Sequence, residues 1–358
     1  MSVLLVTKTF APPWHDSSSG LARVLVTGLK ELDAPPIRVL VGATPSGFRG
    51  ITEERIYGDP GGFAPGIRNN LPVMARLLRR RDERLRHFFF APNRRSALAA
   101  RIARRVQPVS ALQTLCSLPA QGRPVAPHLF AERNVAVSPW AQARLAAEGV
   151  QVCCIEPAVL PLSSTEAGRS RCREQFGKYL LFAGDLRPHG GLHEALAVIE
   201  AMPEPMRLVI AARNKTEADA ARRKDLVWEL GERGLNKRVS LLGRIDWLGD
   251  LVAAAQAQLL PATDLTGKMD YPMVLLEGLA AGVPAVIAEE APMAAVDHPA
   301  IERASAQDIR GLVAATKSAL RQRGESAIGL YQKRFRPERM AREYLAIYRD
   351  MGLVGSES

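Results

Sequence analysis

The sequence predicts an α/β chain made of two doubly wound parallel-sheet domains in tandem, and three observations carry that prediction. Short apolar runs rich in β-branched residues alternate with helical patterns along almost the whole chain, as strand–helix–strand units do. The alternation pauses at a Pro- and Ser-rich stretch, 157–168, and then restarts. The 358 residues, at roughly 100–200 per domain, supply two cores.

The opening run, 2–7, is continuously apolar and reads as a strand buried on both faces. A loop containing Pro12, Pro13, Ser17, Ser18, Ser19 and Gly20 leads to a helical pattern at 21–32 and a strand at 37–41. Residues 43–66 are Gly- and Pro-rich and unpatterned. Strands are then expected at 87–91, 110–115, 134–137 and 152–155, with helices at 71–84, 96–105 and 139–148. Ser138 as N-cap with Pro139 in the first turn marks the start of the last of these helices. Residues 157–168 read as the interdomain linker. Beyond them, strands at 179–183, 207–211, 239–242, 258–261 and 285–288 alternate with helices at 192–201, 216–233, 248–257, 274–281 and 308–323. In the tail, 337–351, Met340, Tyr344, Ile347 and Met351 recur at helical spacing, so an amphipathic helix is expected to pack there. The expected division is 1–160, 161–335 and a C-terminal helix and tail at 336–358. Ligands of doubly wound sheets bind outside the carboxyl ends of the strands. Two such domains facing each other would put the site in a cleft.

Composition narrows the function. Hydrophobic residues at 47% and charged residues at 24% exclude disordered and disulfide-scaffold classes. No stretch reaches the ~20 apolar residues that span a bilayer. MSVLLVTK has no basic region ahead of its short apolar run, so no signal peptide is expected. Cys116, Cys153, Cys154 and Cys172 contain no CxxC pair and read as thiols of a reducing, cytoplasmic protein. The six histidines form no HExxH, and no metal site is expected.

The net charge of +11 calls for an anionic partner. Arg76, Arg79, Arg80, Arg81, Arg84, Arg86, Arg94, Arg95, Arg101, Arg104 and Arg105 crowd one stretch, opposed there only by Asp82 and Glu83. With Phe88, Phe89 and Phe90 among them, two readings stay open. One is a solvated arginine-rich face around a buried strand. The other is an apolar and basic surface on the anionic inner face of a membrane. Nucleic acid is not expected, because no helix-turn-helix, RRM or zinc-finger pattern accompanies the charge.

The richest motif is 268–284, KMDYPMVLLEGLAAGVP. It reads as a polar loop, a helix starting after Pro272, and a Gly-Val-Pro stop. The amides of Met273, Val274 and Leu275 at the helix start would bind a diphosphate, aided by the helix dipole. Glu277, one turn further in among Leu275, Leu276 and Leu279, is a carboxylate suited to two hydrogen bonds from a vicinal diol.

These residues resemble the donor motif of the retaining glycosyltransferases of family 4 (group 1), which have the GT-B fold. The shared pattern is Val274–Leu276, Glu277, Ala280, Gly282 and Pro284. The first loop with Ser19 and Gly20, which are expected to open a helix against donor or acceptor, NVAVSPWAQAR (134–144) and LFAGDLRPHGGL (181–192) also resemble the family. The resemblance implies two Rossmann-like domains facing a cleft, with the C-terminal helix packing back towards the N-domain. It implies that Glu277 binds the ribose of a nucleotide-sugar. It implies that Gly184 opens the donor loop and that Gly243, Arg244 and Ile245 lie where the base is read.

The chain also departs from that pattern. Asp185 and Gly190 stand where the family has an arginine and a lysine, leaving Arg187, His189 and Lys268 as candidate cations for the diphosphate. Met269 holds the place of the first acid of the paired-glutamate motif; Asp270, one position on, would either reach the sugar or cap the helix. No general base is assignable, and Arg187, Asp270 and His15 are the candidate catalytic groups. The resemblance implies retention with a UDP- or GDP-sugar as substrate and with no cofactor and no metal. It fits a step of polysaccharide or glycolipid synthesis, while the acceptor, lipid-linked or glycan, is not encoded in any motif. A GT-B module binding glycan or a partner protein without turnover, and a nucleotide-sugar epimerase, stay open. A Rossmann dehydrogenase is disfavoured because no GxGxxG follows the first strand.

Overall fold

The computed structural model describes residues 2–12, 14, 16–58, 67–79, 82–214 and 217–353. The chain divides into two compact units. The first comprises Met1–Val159, Thr266–Asp270 and Phe335–Ser358; the second comprises Leu160–Leu265 and Tyr271–Arg334. The expected partition had left 266–270 with the second domain.

The first unit contains β1 (Ser2–Val6), α1 (Ser17–Leu29), β2 (Ile37–Val41), β3 (Thr52–Arg55), α2 (Ile67–Leu78), β4 (Glu83–Phe89), α3 (Arg94–Val106), β5 (Ser110–Leu115), β6 (Arg133–Ala136), α4 (Pro139–Ala147) and β7 (Cys153–Cys154). The second contains α5 (Glu166–Phe176), β8 (Tyr179–Ala183), α6 (Leu192–Ala201), β9 (Arg207–Ala211), α7 (Glu217–Glu232), β10 (Val239–Leu242), α8 (Leu248–Ala254), β11 (Ala257–Leu260), α9 (Met273–Ala280), β12 (Ala285–Ala288), β13 (Ile301–Ala304), α10 (Ile309–Ala319) and α11 (Glu325–Arg334). The last helix, α12 (Pro337–Asp350), returns to the first unit.

Each unit holds one parallel sheet. The orders are β3-β2-β1-β4-β5-β6-β7 and β10-β9-β8-β11-β12-β13. The strand order reverses between β1 and β4 in the first sheet and between β8 and β11 in the second. These are the two switch points at which loops splay apart and leave a crevice. The central strands are buried apolar runs, as parallel sheets covered on both faces require: SVLLV in β1 and YLLF in β8 are buried throughout.

Several elements differ from the expected ones. The helix placed at 71–84 ends at Leu78, and β4 begins at Glu83, earlier than the expected strand at 87–91. The charged start of β4 is buried by pairing. Arg76 on α2 donates to Glu54 on β3 and to both oxygens of Glu83 at 3.0 and 3.1 Å, and Arg86 joins Glu83 at 3.2 Å. Arg76 and Arg86 are only 3% and 1% exposed. Both therefore belong to the interior and not to the basic surface read from the sequence. Arg80 and Arg81 of that stretch lie outside the described residues. Phe88 and Phe89 are buried core and Phe90 packs half-buried against it, as the reading of a buried strand expected, so the aromatic part of the membrane reading is not met.

Helix α1 starts at Ser17, with Asp16 as N-cap, where the sequence pattern had placed it at 21–32. Strands β3 and β13 and helices α5 and α11 were not anticipated. Thr165 caps α5 by accepting from the Gly168 amide at 3.0 Å, so the end of the expected linker is already helix.

Helix α12 presents Met340, Ala341, Tyr344, Leu345 and Tyr348 as its buried face. It packs against α1 at Gly28, where a Cβ would lie 2.4 Å from the carbonyl oxygen of Pro337. A polar chain ties the same helix to the sheet. His87 on β4 hydrogen-bonds the Tyr348 hydroxyl through Nδ1 and the Thr114 hydroxyl through Nε2, both at 2.8 Å, and Thr114 bonds the Tyr344 hydroxyl at 2.8 Å. Burial holds the imidazole pKa well below its ordinary value, so the ring is neutral.

The unfolded chain binds a proton at His87 below about pH 6.5 and the folded one does not, so stability is present above that pH and lost as pH falls. Wild-type unfolding free energy is expected to drop below pH 6.5 by up to ~1.4 kcal/mol per pH unit more than that of His87→Gln. Urea titrations across pH 5–8 would read the difference, and parallel curves would refute the assignment.

Candidate functional site

The second unit's switch point is built by the loops that follow β8 and β11. Gly184–Gly191 leaves β8 and delivers the chain to α6. His189 takes φ +57°, uncommon for a residue with a Cβ, and its carbonyl accepts the amides of Thr263 and Asp264, both at 3.2 Å. The Arg187 guanidinium donates to the carbonyl of Asp264. Gly191 has φ +87°, and a Cβ there would sit 2.7 Å from backbone atoms of Pro261 and Ala262. The two loops are thereby zipped together across the mouth of the crevice.

The helices that follow β8 and β11, α6 and α9, both start without a side-chain cap. Gly191 precedes α6 and Pro272 precedes α9, and neither supplies a capping hydrogen bond. The first-turn amides of an uncapped helix, with the positive end of its dipole, make a ready anion site. In α9 these are Met273 and Val274. Leu275 is not available, because its amide donates to the Pro272 carbonyl at 2.9 Å; that part of the expected triad is corrected. Glu277 lies one turn further on and is half-buried, between buried Leu276 and Gly278. Gly184 stands at the carboxyl end of β8. Gly243, Arg244 and Ile245 follow β10 on the same edge of the sheet, two strands away, or about 9–10 Å. Gly243 and Arg244 are exposed, while Ile245 packs on the unit's core and anchors their loop.

The other expected site residues belong to the first unit. Lys268 and Asp270 lie in the 266–270 segment, so the motif read as one stretch is divided between the units after Asp270. The Gly267 amide donates to the Leu118 carbonyl at 3.2 Å, which fastens the segment. Asp270 is 3% exposed and accepts a hydrogen bond from the Ser138 hydroxyl. Ser138 in turn caps α4 by accepting from the Ala141 amide at 2.9 Å. Asp270 does not cap α9, whose N-cap is Pro272. Burial raises its pKa, and the bond from Ser138 only partly offsets that. Lys268 is half-buried; burial lowers its pKa against the pull of Asp16. Met269, at the position of the missing acid, is buried.

At the first unit's switch point the capping group is Asp16, which sequence reasoning passed over. Its carboxylate accepts from the Ser18 amide at 3.0 Å, from the Ser18 hydroxyl, and from Lys8 at 2.5 Å. Burial would raise its pKa, but these bonds outweigh it and hold the carboxyl below its ordinary range. The Asp-Ser-Ser-Ser run was the available signal, since aspartate before a helical pattern is a favoured N-cap. Ser19 and Gly20 do not open the helix. They are buried in its first turn, and the Ser19 hydroxyl and Gly20 amide both donate to the Asp16 carbonyl. His15 lies outside the described residues.

Comparison with known proteins accords with this geometry. Residues 177–322, most of the second unit, match the family of group 1 glycosyl transferases. No curated protein matches. Among solved structures, Anabaena HepE in complex with UDP and glucose is 16% identical, with TM-score 0.72 over 98% of this chain and 100% of that one. A sucrose-phosphate synthase from Thermosynechococcus elongatus is 16% identical, with TM-score 0.74 over 98% of this chain and 99% of that one. A glycosyltransferase from Rickettsia africae is 14% identical, with TM-score 0.70 over 98% of each chain. At these identities the likeness establishes the fold, which is GT-B.

Removing Ser138 is expected to cost the α4 cap and the Ser138 hydrogen bond to Asp270, about 1–3 kcal/mol in all. Because the folded pKa of Asp270 is already raised, the stability linked to it is present below about pH 4 and lost as pH climbs through the folded value. Ser138→Ala raises that value further, so its destabilisation should grow from pH 4 to pH 7 and become independent of pH in an Asp270→Asn background. A constant difference in both backgrounds would contradict the link.

Proposed function

We propose that the chain is a retaining glycosyltransferase that moves a sugar from a UDP- or GDP-sugar to an acceptor. The nucleotide-sugar is a substrate, and no cofactor or metal enters the reading. One observation carries it: α6 and α9, the helices that follow the two strands of the β8/β11 switch point, both start without a side-chain cap, and Glu277 lies a turn inside α9. The diphosphate sits against the amides of Met273 and Val274. Glu277 accepts both ribose hydroxyls. Arg187 and His189 supply positive charge in place of the family's loop arginine and lysine, the histidine when protonated. Gly184 lets the donor loop leave β8 close against Leu260 and Phe182, where a Cβ would lie 3.2 and 3.3 Å from their side chains, and the loop at Gly243–Ile245 meets the base. The UDP and glucose bound by the Anabaena structure support the donor class.

In this reading catalysis rests on position and on charge stabilisation at the leaving diphosphate, whose own oxygen assists the incoming hydroxyl on the same face. Asp270, held by Ser138, anchors the 266–270 segment and is not a sugar ligand. Asp185 and Gly190 at the usual cation positions favour one second reading, a GT-B module that binds nucleotide-sugar without turnover.

A thermal-shift screen of UDP, GDP, ADP, TDP and CMP tests the donor class. A nucleotide at a hundredfold excess over its Kd should add about 2.7 kcal/mol of stability. Glu277→Ala should weaken binding of that nucleotide by ~10–100-fold, the worth of hydrogen bonds to a charged group, with the fold intact. Proton NMR of slow donor hydrolysis should show first the anomer that the donor carried. No shift with any nucleotide would sink the reading; binding without release of sugar or transfer would favour the second one.

A further inference from the structure

Helix α3 has an outer face that neither the nucleotide site nor the core of the first unit uses. Only three of its four alanines, Ala97, Ala100 and Ala103, are buried. Leu98, Ile102 and Val106, spaced by four residues, form a row that is 61%, 45% and 54% exposed. Arg94 continues this row four residues before Leu98, Arg101 and Arg105 form a second row alongside, and Arg95 flanks the apolar row on its other side. The helix carries five arginines and no acid. An open cavity of about 400 Å³ at its C-terminal end is lined by Arg101, Arg104, Arg105, Pro108, Val109, Ser110 and Glu132. The one acid there, Glu132, is paired with Arg104. Arg101 spans to the carbonyls of Pro127 and Leu129 at 2.8 and 3.0 Å, which fixes its guanidinium at the rim.

We propose that this face of α3 seats on an anionic lipid bilayer. Leu98, Ile102 and Val106 enter the headgroup–acyl boundary, and the arginine row lies level with the lipid phosphates, with the cavity beside Arg105 taking a headgroup. A helix lying in the interface plane has this division of faces, and arginine stems snorkel in this way. Charge complementarity selects the occupant. A row of aliphatic side chains gives nothing to a nucleic-acid backbone, whose binding tracks phosphates alone. It also lacks the pocketed aromatic anchor on which protein hot spots are built. Arginines near an anionic surface gain roughly 1 kcal/mol each, or about fivefold in binding. The inference is independent of which sugar is moved, or whether any is.

Cosedimentation of the full chain with phosphatidylcholine vesicles, with and without phosphatidylglycerol, is the test. Binding is expected only with phosphatidylglycerol. Arg94→Gln with Arg105→Gln should weaken it by roughly 25-fold. The triple variant Leu98→Ser, Ile102→Ser, Val106→Ser should abolish the binding that survives in high salt. All five positions are on the surface, so unfolding midpoints should stay at the wild-type value. As a second readout, Ile102→Trp should add a blue-shifted emission on the anionic vesicles. Absence of vesicle binding, or binding indifferent to both variants, would overturn the proposal. Tighter binding to a DNA duplex that ignores the apolar triple would overturn it in favour of nucleic acid. A concentration-dependent dimer dissolved by that triple would overturn it in favour of a second copy.

Discussion

The donor side of the molecule depends on one close approach. Gly191 lies against the backbone of Pro261 and Ala262, in a conformation that L side chains rarely adopt, and His189 beside it is held left-handed by the amides of Thr263 and Asp264. This packing ties the loop between β8 and α6 to the residues that follow β11, at the switch point from which α6 and, further along the chain, α9 are reached. A helix start without a capping side chain leaves amides unsatisfied, and two at one switch point concentrate the positive ends of two dipoles. The departures at Asp185 and Gly190 matter less in such a frame. In the proposed reading, backbone amides fixed by the fold carry part of the task that mobile side-chain cations perform in the resemblance.

The first unit solves a different problem, the management of charge. Its arginines are split three ways. Arg76 and Arg86 are spent inside against Glu54 and Glu83. Arg101, Arg104 and Arg144 brace loop carbonyls. The remainder on α3 face outward beside aliphatic side chains. Buried ion pairs of the first kind bring little net stability, since desolvation consumes much of the attraction. They do fix where β4 begins. The returning helix α12 is held by uncharged means, through His87, Thr114 and two tyrosines.

Much of this was legible in the sequence, and the failures have physical reasons. The central strands were legible because parallel-sheet burial demands continuous apolar runs, the helix at 192–201 because its own pattern is strongly apolar, and the helix at 139–148 because Ser138 and Pro139 mark its start. The edge strands were not. β3 reads TEER and β13 reads IERA, and both lie at the margins of their sheets, where one side is solvated and no apolar signal survives. Helix α5 buries only Gly168, Cys172 and Phe176 and follows a Pro- and Ser-rich stretch, so its pattern was masked. The start of α9 after Pro272, which sets the places of Met273, Val274 and Glu277 along the helix, was legible in local sequence because a helix start is a local object. The partners of Asp270 and Lys268 were not, since Ser138 and Asp16 are more than a hundred residues away and only the fold brings them together.

Backbone hydrogen exchange with and without the bound nucleotide diphosphate tests the central claim most directly, that helix-start amides at the β8/β11 switch point hold the diphosphate. Protection confined to 184–195 and 272–280 is the expected result. Unchanged exchange in those segments, with protection appearing instead around 7–20 in the first unit, would contradict the account.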